Sequence, residues 1–309
     1  MKTLSIFLIN ILIILLACSL LLFSRCTKTN SSPVIQRIIA ENEIWNDTIK
    51  PVKSYTYMDN LITEIVEYNG LTEATGMTEV QYSGDVISSF KKYYKINGTM
   101  HLKTFSEITA FAGDNPAEII EHQYSDEGIE EYQSKRKYYY SGDFLKEATY
   151  YSYESGAWKI SSSTSYSYDN KGRIGQITTN VHSPIGADFG TSSTYYYEGS
   201  LLSEFIVQSY YHVMTNVSKT SFEYTDGMLS KAVTYKWESD NWVKDGKQQY
   251  YEYNESGNLV SIRYEDTGPF PYSYKILYIY EEGTGNYRQC INAMAPETFL
   301  PGKPWPMPV

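Results

Sequence analysis

An aromatic residue recurs nine times along the chain in the same local setting. It is usually the second of two aromatic residues separated by one position, and a short turn rich in Gly, Asp and Asn follows it, then an apolar residue. We call these nine residues the anchors: Tyr57, Tyr82, Phe111, Tyr140, Tyr168, Tyr197, Tyr224, Tyr253 and Tyr280. Successive anchors lie 25 to 29 residues apart. A period this regular predicts a repeat protein.

The local pattern of the repeat predicts strands. Two aromatic residues separated by one position lie on one face of a strand, and Gly, Asn and Asp supply the positive φ angles of tight hairpin turns. A returning strand follows each turn, as in residues 145–153, and ends at a second turn signal. Each period of about 28 residues therefore holds two strands. We predict an all-β antiparallel meander of about nine two-strand repeats, forming a single curled, solenoid-like sheet.

Two of the turns carry a resemblance to a known family. Residues 166–174 and 251–259 pair a strand end of the Tyr-Asp type with a Gly-Arg-Ile or Gly-Asn-Leu turn. This pattern resembles the YD (Rhs-type) repeat, and the chain is also similar to the Tyr-rich repeat lipoproteins of Bacteroidetes-type bacteria. The resemblance covers about residues 55–285 and implies an exported β-repeat protein. It implies no reaction.

The N-terminal segment has the features of an export signal. A short basic start precedes an apolar run from Leu4 to Phe23, which Arg25 ends. A retained membrane helix is the alternative to a cleaved signal. Cys18 and Cys26 each end a stretch that resembles the bacterial lipobox, which implies lipidation of the cysteine. Because a polar segment follows Cys26, we favour lipidation there, with Cys18 as the alternative. The protein would then be lipid-anchored to the outer membrane, on its periplasmic or exposed side.

The sequence divides into four predicted segments. Residues 1–26 form the lipoprotein signal peptide and residues 27–52 a polar tether with two prolines. Residues 53–290 form the YD-like β-repeat domain. The Pro-rich tail, residues 291–309, cannot continue a strand ladder because proline lacks the backbone donor. We expect the tail to pack across the last strand and cover its edge.

The composition and the absence of motifs exclude several functions. The formal net charge is -10, with 36 acidic against 26 basic residues. Nucleic-acid binding is not expected, since it depends on neutralising phosphates with Lys and Arg. The sequence has no Gly-rich phosphate loop, nucleophile elbow or cysteine pair, and the four histidines form no metal-binding motif. We predict a protein that is not an enzyme and has no cofactor or metal.

The aromatic residues are the candidate ligand contacts. Trp158 and Trp242 occupy matching positions just after the second turn of their repeats, and Tyr139, Tyr196 and Tyr211 belong to runs of tyrosine that place rings on both faces of a strand. Tyrosine and tryptophan combine a flat apolar face with a polar group, which suits stacking on sugars or docking of a protein. Cross-strand packing is the alternative role. Thr48 lies in Asp-Thr-Ile, which resembles the O-glycosylation acceptor of exported Bacteroidetes proteins.

Three hypotheses about function follow from the sequence. The first is a lipid-anchored, non-catalytic binding or adhesion module of the cell envelope, whose partner is a glycan or an envelope protein. The second is a purely structural envelope repeat that shields or spaces a partner. The third is an outer-membrane β-barrel, which fits the number of strands; residues 161–165 and 244–249, however, lack the outward apolar alternation that a bilayer requires.

Overall fold

A computed structural model describes residues 36–69, 73–182, 189–211, 213–298 and 300–301. These residues form eighteen β-strands and one α-helix. The strands are β1 (Gln36–Trp45), β2 (Thr48–Met58), β3 (Leu61–Tyr68), β4 (Ala74–Ser83), β5 (Val86–Ile96), β6 (Thr99–Ala112), β7 (Asn115–Tyr124), β8 (Glu130–Ser141) and β9 (Phe144–Glu154). They continue as β10 (Ala157–Tyr168), β11 (Ile174–Val181), β12 (Phe189–Glu198), β13 (Leu201–Tyr211), β14 (Val213–Thr225), β15 (Met228–Glu238), β16 (Asn241–Tyr253), β17 (Leu259–Asp266) and β18 (Tyr272–Glu282). The helix α1 spans Tyr287–Met294.

The sheet closes on itself as a barrel. Each strand pairs antiparallel with the next along the chain, and β18 pairs antiparallel with β1, from Gln36 opposite Glu282 to Ile44 opposite Lys275. The all-β class and the antiparallel meander agree with the prediction, but the open, solenoid-like sheet was wrong. Closure gives the edge groups of β1 and β18 hydrogen-bond partners that an open sheet would leave exposed.

The predicted turn residues make the hairpins. Gly84, Gly113, Gly142 and Gly199 each follow an anchor-bearing strand with φ near +60°, a conformation that glycine adopts without steric cost. We call this end of the barrel the anchor end. The two turns that resemble the YD repeat are held by their own side chains: Asp169 Oδ1 accepts from the backbone N–H of Arg173 at 2.9 Å.

A belt of tyrosine hydroxyl groups binds neighbouring repeats together at the anchor end. Each anchor in the belt donates to the backbone carbonyl of the apolar residue that follows the previous anchor turn or, for Tyr57, of Ile38 near the start of β1. The seven bonds measure 2.7 to 3.2 Å and join Tyr57 to Ile38, Tyr82 to Ile62, Tyr140 to Pro116, Tyr168 to Leu145, Tyr197 to Ile174, Tyr224 to Leu202 and Tyr280 to Leu259. Every repeat in the belt is therefore tied to the one before it by a side chain as well as by the sheet.

The acceptors belong to a buried apolar ring. One residue of each repeat points into the lumen just after the anchor turn, and its side chain is at most 5% exposed, as in Ile62 and Leu145. The ring consists of Ile38, Ile62, Ile87, Pro116, Leu145, Ile174, Leu202, Leu229 and Leu259. Burial of these side chains contributes about 1.5 to 3 kcal/mol each relative to exposure, so the ring is a main source of stability.

The C-terminal segment forms a plug inside one half of the barrel. Helix α1 packs against β3, β5 and β7, and the ring of Tyr287 meets that of Tyr55 edge-on at 5.3 Å. Asn286 accepts from Ile62 N–H at 2.8 Å and donates to the Tyr82 hydroxyl at 2.9 Å. Cys290 is fully buried, and burial raises the pKa of its thiol to about 12.

The segments that precede and follow the repeats in the sequence differ from the sequence-based interpretation. Residues 36–52, predicted as part of the tether, lie in β1 and the first part of β2. The tail was expected to cover the edge of the last strand; the closed sheet has no such edge, and residues 291–298 instead continue α1 and the plug. Apolar burial against the lumen explains this placement better than edge protection.

The hydroxyl belt leads to a stability prediction. Tyr168→Phe removes the 2.7 Å bond to the Leu145 carbonyl while keeping the ring, and we expect it to lower the free energy of unfolding by about 0.5 to 1.5 kcal/mol. Tyr196→Phe is the control, because that side chain is 46% exposed and should change stability little. Urea denaturation of both variants measures the difference, and equal losses would refute a structural role for the belt.

Candidate functional site

Strand alternation assigns each side chain to the lumen or to the outer surface. On β14, Thr220 and Phe222 line a cavity together with residues of β12, β16 and β18. Strands that are not neighbours in the sheet share a lining only across the lumen, so these two residues point inward. Lys219, Ser221 and Glu223 alternate with them and point outward.

An aromatic cavity occupies the half of the lumen that the plug leaves open. It has a volume of about 620 Å³ and is lined by residues of β12 to β18. Seven of the lining residues are aromatic: Tyr195, Phe205, Phe222, Tyr251, Tyr264, Tyr272 and Tyr278. We call this space the aromatic cavity. Its volume lies within the range of about 300 to 1,000 Å³ that is typical of small-molecule sites.

The lining of the aromatic cavity changes from apolar to polar along the barrel axis. Leu202 and Ile262 lie near the anchor end, where Leu202 belongs to the apolar ring. Lys247 and Gln249 lie further along β16, toward the opposite end. A molecule in this cavity would therefore meet apolar surface at one end and charged or amide groups at the other.

The aromatic rings of the cavity pack on one another and keep neutral hydroxyl groups. The ring of Phe205 lies 5.5 Å from that of Tyr195 and 6.0 Å from that of Phe222. Burial raises the pKa of Tyr195 to about 12, and burial also raises the pKa of Tyr251 and Tyr278. These hydroxyl groups therefore remain protonated at neutral pH, and that of Tyr251 donates a hydrogen bond to Gln249 Oε1 at 2.5 Å.

The lining residues have a common origin in the repeat. Tyr195, Phe222, Tyr251 and Tyr278 are the first aromatic residues of their pairs, two positions before an anchor. The corresponding Tyr55, Tyr138 and Tyr166 of the other half are buried in the core that includes the plug. The same repeat position thus packs against the plug in one half and lines the cavity in the other. The sequence analysis missed this site, although the spacing from the anchors marks its residues.

The outer surface of the barrel carries ion pairs along its strands. Lys275 Nζ lies 2.6 Å from Glu252 Oε2, and Lys219 Nζ lies 3.4 Å from Glu204 Oε2. Lys137 and Glu118 form a similar pair at 3.0 Å. Such pairs are ordinary on a water-exposed surface and costly against hydrocarbon. The only helix in the described part of the chain, α1 with 8 residues, is too short to span a bilayer.

The two predicted tryptophan contacts lie on the outer surface in separate clusters. Trp158 packs on Tyr153 with 5.1 Å between ring centroids, and Lys135 Nζ lies 4.5 Å from its ring. Trp242 packs on Trp237 at 4.8 Å, with Lys219 Nζ at 5.6 Å. The clusters are equivalent, but they lie on β10 and β16 and do not meet.

The predicted tyrosine contacts are exposed at both ends of the barrel. Tyr139 and Tyr196 are 65% and 46% exposed near the anchor end, whereas Tyr211, 63% exposed, lies at the opposite end. Thr48 is exposed at the start of β2, after the turn that follows β1. The structure does not bring these residues together, and their predicted roles stay predictions.

Cys18 and Cys26, the predicted lipidation sites, lie outside the described residues. Within the described ranges, no cluster of His, Cys, Asp and Glu could hold a metal ion.

Comparisons with known proteins return solved structures of low similarity. No protein-family model and no curated protein matches the chain. A porin-like protein from Bacteroides uniformis is 10% identical with a TM-score of 0.40, over 81% of this chain and 98% of its own. A porin-like protein from Bacteroides vulgatus is 12% identical with a TM-score of 0.40, over 79% and 98%. The Tc holotoxin pore of Photorhabdus luminescens is 12% identical with a TM-score of 0.27, over 75% of this chain and 16% of that one. At these TM-scores the likenesses support no inference about function, and the resemblance to the YD repeat remains a prediction.

The outer ion pairs lead to a prediction about solubility. We expect residues 33–309, produced without the N-terminal segment, to stay in the aqueous supernatant after ultracentrifugation without detergent, because the strands present paired charges outward. Size-exclusion chromatography checks that the product is not aggregated. Sedimentation with membranes, or recovery only in detergent, would favour an outer-membrane barrel instead.

Proposed function

We propose that the chain is a non-catalytic binding protein of the cell envelope that holds a small amphipathic molecule in the aromatic cavity. The observation that supports this proposal is the cavity itself, a space of about 620 Å³ lined by seven aromatic side chains inside a closed barrel. Large apolar surface with a few placed polar groups is the usual composition of a ligand pocket. The proposal assigns no reaction to the cavity.

The lining favours a molecule with a flat or apolar body and a polar end. Tyr195, Phe205 and Phe222 offer ring faces and edges near the anchor end, which suit a planar ring or an acyl chain. Lys247 offers a positive charge and Gln249 an amide toward the other end. Glu265 alternates with the inward-facing Tyr264 and pairs with Arg263 on the outer surface. A ligand oriented with its polar end toward Lys247 and Gln249 would satisfy both parts of the lining.

The site in the cell is part of the proposal and depends on the N-terminal sequence. The apolar run from Leu4 to Phe23 and the cysteine at position 26, or alternatively 18, support export and a lipid anchor in the outer membrane. The protein would then meet its ligand at the envelope.

The alternative is an outer-membrane β-barrel. Closure of an even number of antiparallel strands supports it, and the ion pairs on the outer surface weigh against it.

A second candidate function is binding of a glycan or an envelope protein on the outer surface. The observation that favours it is the equivalence of the two clusters, each a tryptophan on a second aromatic ring with a lysine above it. An indole face next to a cation suits stacking on an acidic sugar. If neither surface binds anything, the structural role as a shield or spacer remains.

The cavity proposal predicts the effect of filling the lumen. Thr220→Trp places a large side chain in the aromatic cavity, and we expect it to weaken binding of the fluorescent apolar probe N-phenyl-1-naphthylamine by at least about tenfold. Ser221→Trp on the same strand points outward and is the matched control. Fluorescence titration of residues 33–309 measures both affinities. Equal affinity in the two variants, or no binding to the unaltered protein, would rule out the cavity as the site.

The second candidate predicts a different pattern. Replacing Trp158 and Trp242 together with alanine should weaken glycan binding on an array by more than about 1 kcal/mol, with the melting temperature nearly unchanged. Val243→Ala, next to Trp242 on β16 and 40% exposed, is the control. A clear drop in melting temperature with intact binding would instead make the tryptophans packing residues, since loss of a buried tryptophan costs about 3 to 5 kcal/mol.

A further inference from the structure

Small hydroxyl side chains line the open half of the lumen on four neighbouring strands. Thr220 and Thr234 belong to the lining of the aromatic cavity and lie opposite each other on β14 and β15. Ser218 precedes Thr220 by two positions and therefore points the same way. Val207 of β13 lies between Ser218 and Ser193 of β12 in the sheet, and Ser209 follows it by two positions. We call this surface the Ser/Thr wall; it consists of Ser193, Ser209, Ser218, Thr220 and Thr234.

The hydroxyl groups of the Ser/Thr wall are available to a ligand. All five side chains are half-buried, and within the described part of the chain none of them forms a hydrogen bond with another protein group. Serines on the outer side of the same strands differ, because Ser203 donates to the Tyr196 carbonyl at 3.0 Å and Ser230 to the Glu223 carbonyl at 3.1 Å. Each hydroxyl group of the wall can therefore donate to a ligand and accept from it.

The charged side chains of the aromatic cavity, in contrast, already have partners. Lys247 is the one lysine of the lining, and its Nζ lies 3.1 Å from Asp245 Oδ2. Glu265 is the one carboxylate of the lining and pairs with Arg263 on the outer surface. An ionic head group would have to compete with these pairs. The polar groups that the lining leaves open are therefore the neutral hydroxyl groups.

The Ser/Thr wall is a dispersed surface rather than a convergent site. Neighbouring strands lie about 4.8 Å apart, so hydroxyl groups on four strands cannot all meet one small head group. They suit a ligand that carries several separate hydroxyl groups. The wall also begins where the aromatic floor ends, since Thr220 lies directly opposite Phe205 in the pairing of β13 with β14. Tyr264 and Tyr272 border the same space from β17 and β18, and aromatic rings there can pack on the C–H groups of a sugar.

We propose that the molecule held in the aromatic cavity is a glycoside, a neutral sugar joined to an apolar group. The sugar lies against the Ser/Thr wall, and the apolar group lies among Tyr195, Phe205 and Phe222. This inference rests on the proposed function, because it names the class of ligand for the same cavity. It differs from glycan binding at the outer tryptophan clusters, which would leave the lumen empty.

Isothermal titration calorimetry of the full-length chain in phosphatidylcholine nanodiscs compares ligands that share one ring system, with empty nanodiscs as the blank. 2-Naphthol tests for binding of the apolar group alone. 2-Naphthyl β-D-glucoside and β-D-galactoside add a neutral sugar, and 2-naphthyl sulfate adds a charge instead. We expect at least one glycoside to bind about tenfold or more tightly than both 2-naphthol and the sulfate.

A double variant tests the wall itself. Thr220→Val with Thr234→Val removes two hydroxyl groups, keeps the side-chain shape and suits a strand. We expect it to weaken binding of the glycoside by about tenfold, and to weaken binding of 2-naphthol less. Ser221→Ala removes an outward hydroxyl group from the same strand and should leave glycoside binding unchanged. If the double variant fails to fold, Ser218→Ala tests the same wall.

The outcomes separate this inference from the proposed function. If 2-naphthol binds but neither glycoside binds more tightly, or if the sulfate binds best, the glycoside inference is overturned and the cavity remains a binding site. Unchanged glycoside affinity in the Thr220 and Thr234 double variant, or an equal loss for 2-naphthol, would also overturn it. If none of the ligands binds, the proposed function of the cavity is itself wrong.

Discussion

The pairing of β18 with β1 is the constraint on which the rest of the molecule depends, because it converts a repeating meander into a container. Eight consecutive registered pairs, from Gln36 to Ile44 with one bulge, join the two ends of the sheet. A closed sheet has an inside, and the strand alternation then sorts every side chain into lumen or surface. The hydroxyl belt, the apolar ring, the plug and the aromatic cavity exist only because this sorting is complete.

The lumen is divided unequally by the plug, and this division gives identical repeat positions different roles. The apolar ring continues around the barrel at one level, from Ile38 to Leu259. Tyr55, Tyr138 and Tyr166 are buried in the core that includes α1, whereas their counterparts on β12 to β18 line the aromatic cavity, and of these Tyr195 and Tyr278 pack at the margin of that core. A single non-repeating segment therefore creates the asymmetry that a ligand site needs.

The local structure could be predicted from the sequence, but the closure and the sites could not. The anchors and the Gly, Asn and Asp turns indicated two strands per period, and the structure has them. Pairing between β1 and β18 joins residues such as Arg37 and Glu281 that are far apart in sequence, and β1 falls outside the anchor pattern, so nothing local marks it as the closing strand. Whether a long twisted sheet closes depends on tilt and stagger, which the repeat does not encode directly.

The predicted aromatic ligand contacts also show what the sequence could not predict, namely which face of the closed sheet a given ring occupies. Trp158, Trp242, Tyr139 and Tyr196 were singled out as surplus to one buried face, and all of them are on the outer surface of the barrel. The parity that places Tyr139 outside places Tyr138 and Tyr140 inside, so a run of three tyrosines serves the core, the surface and the belt at once.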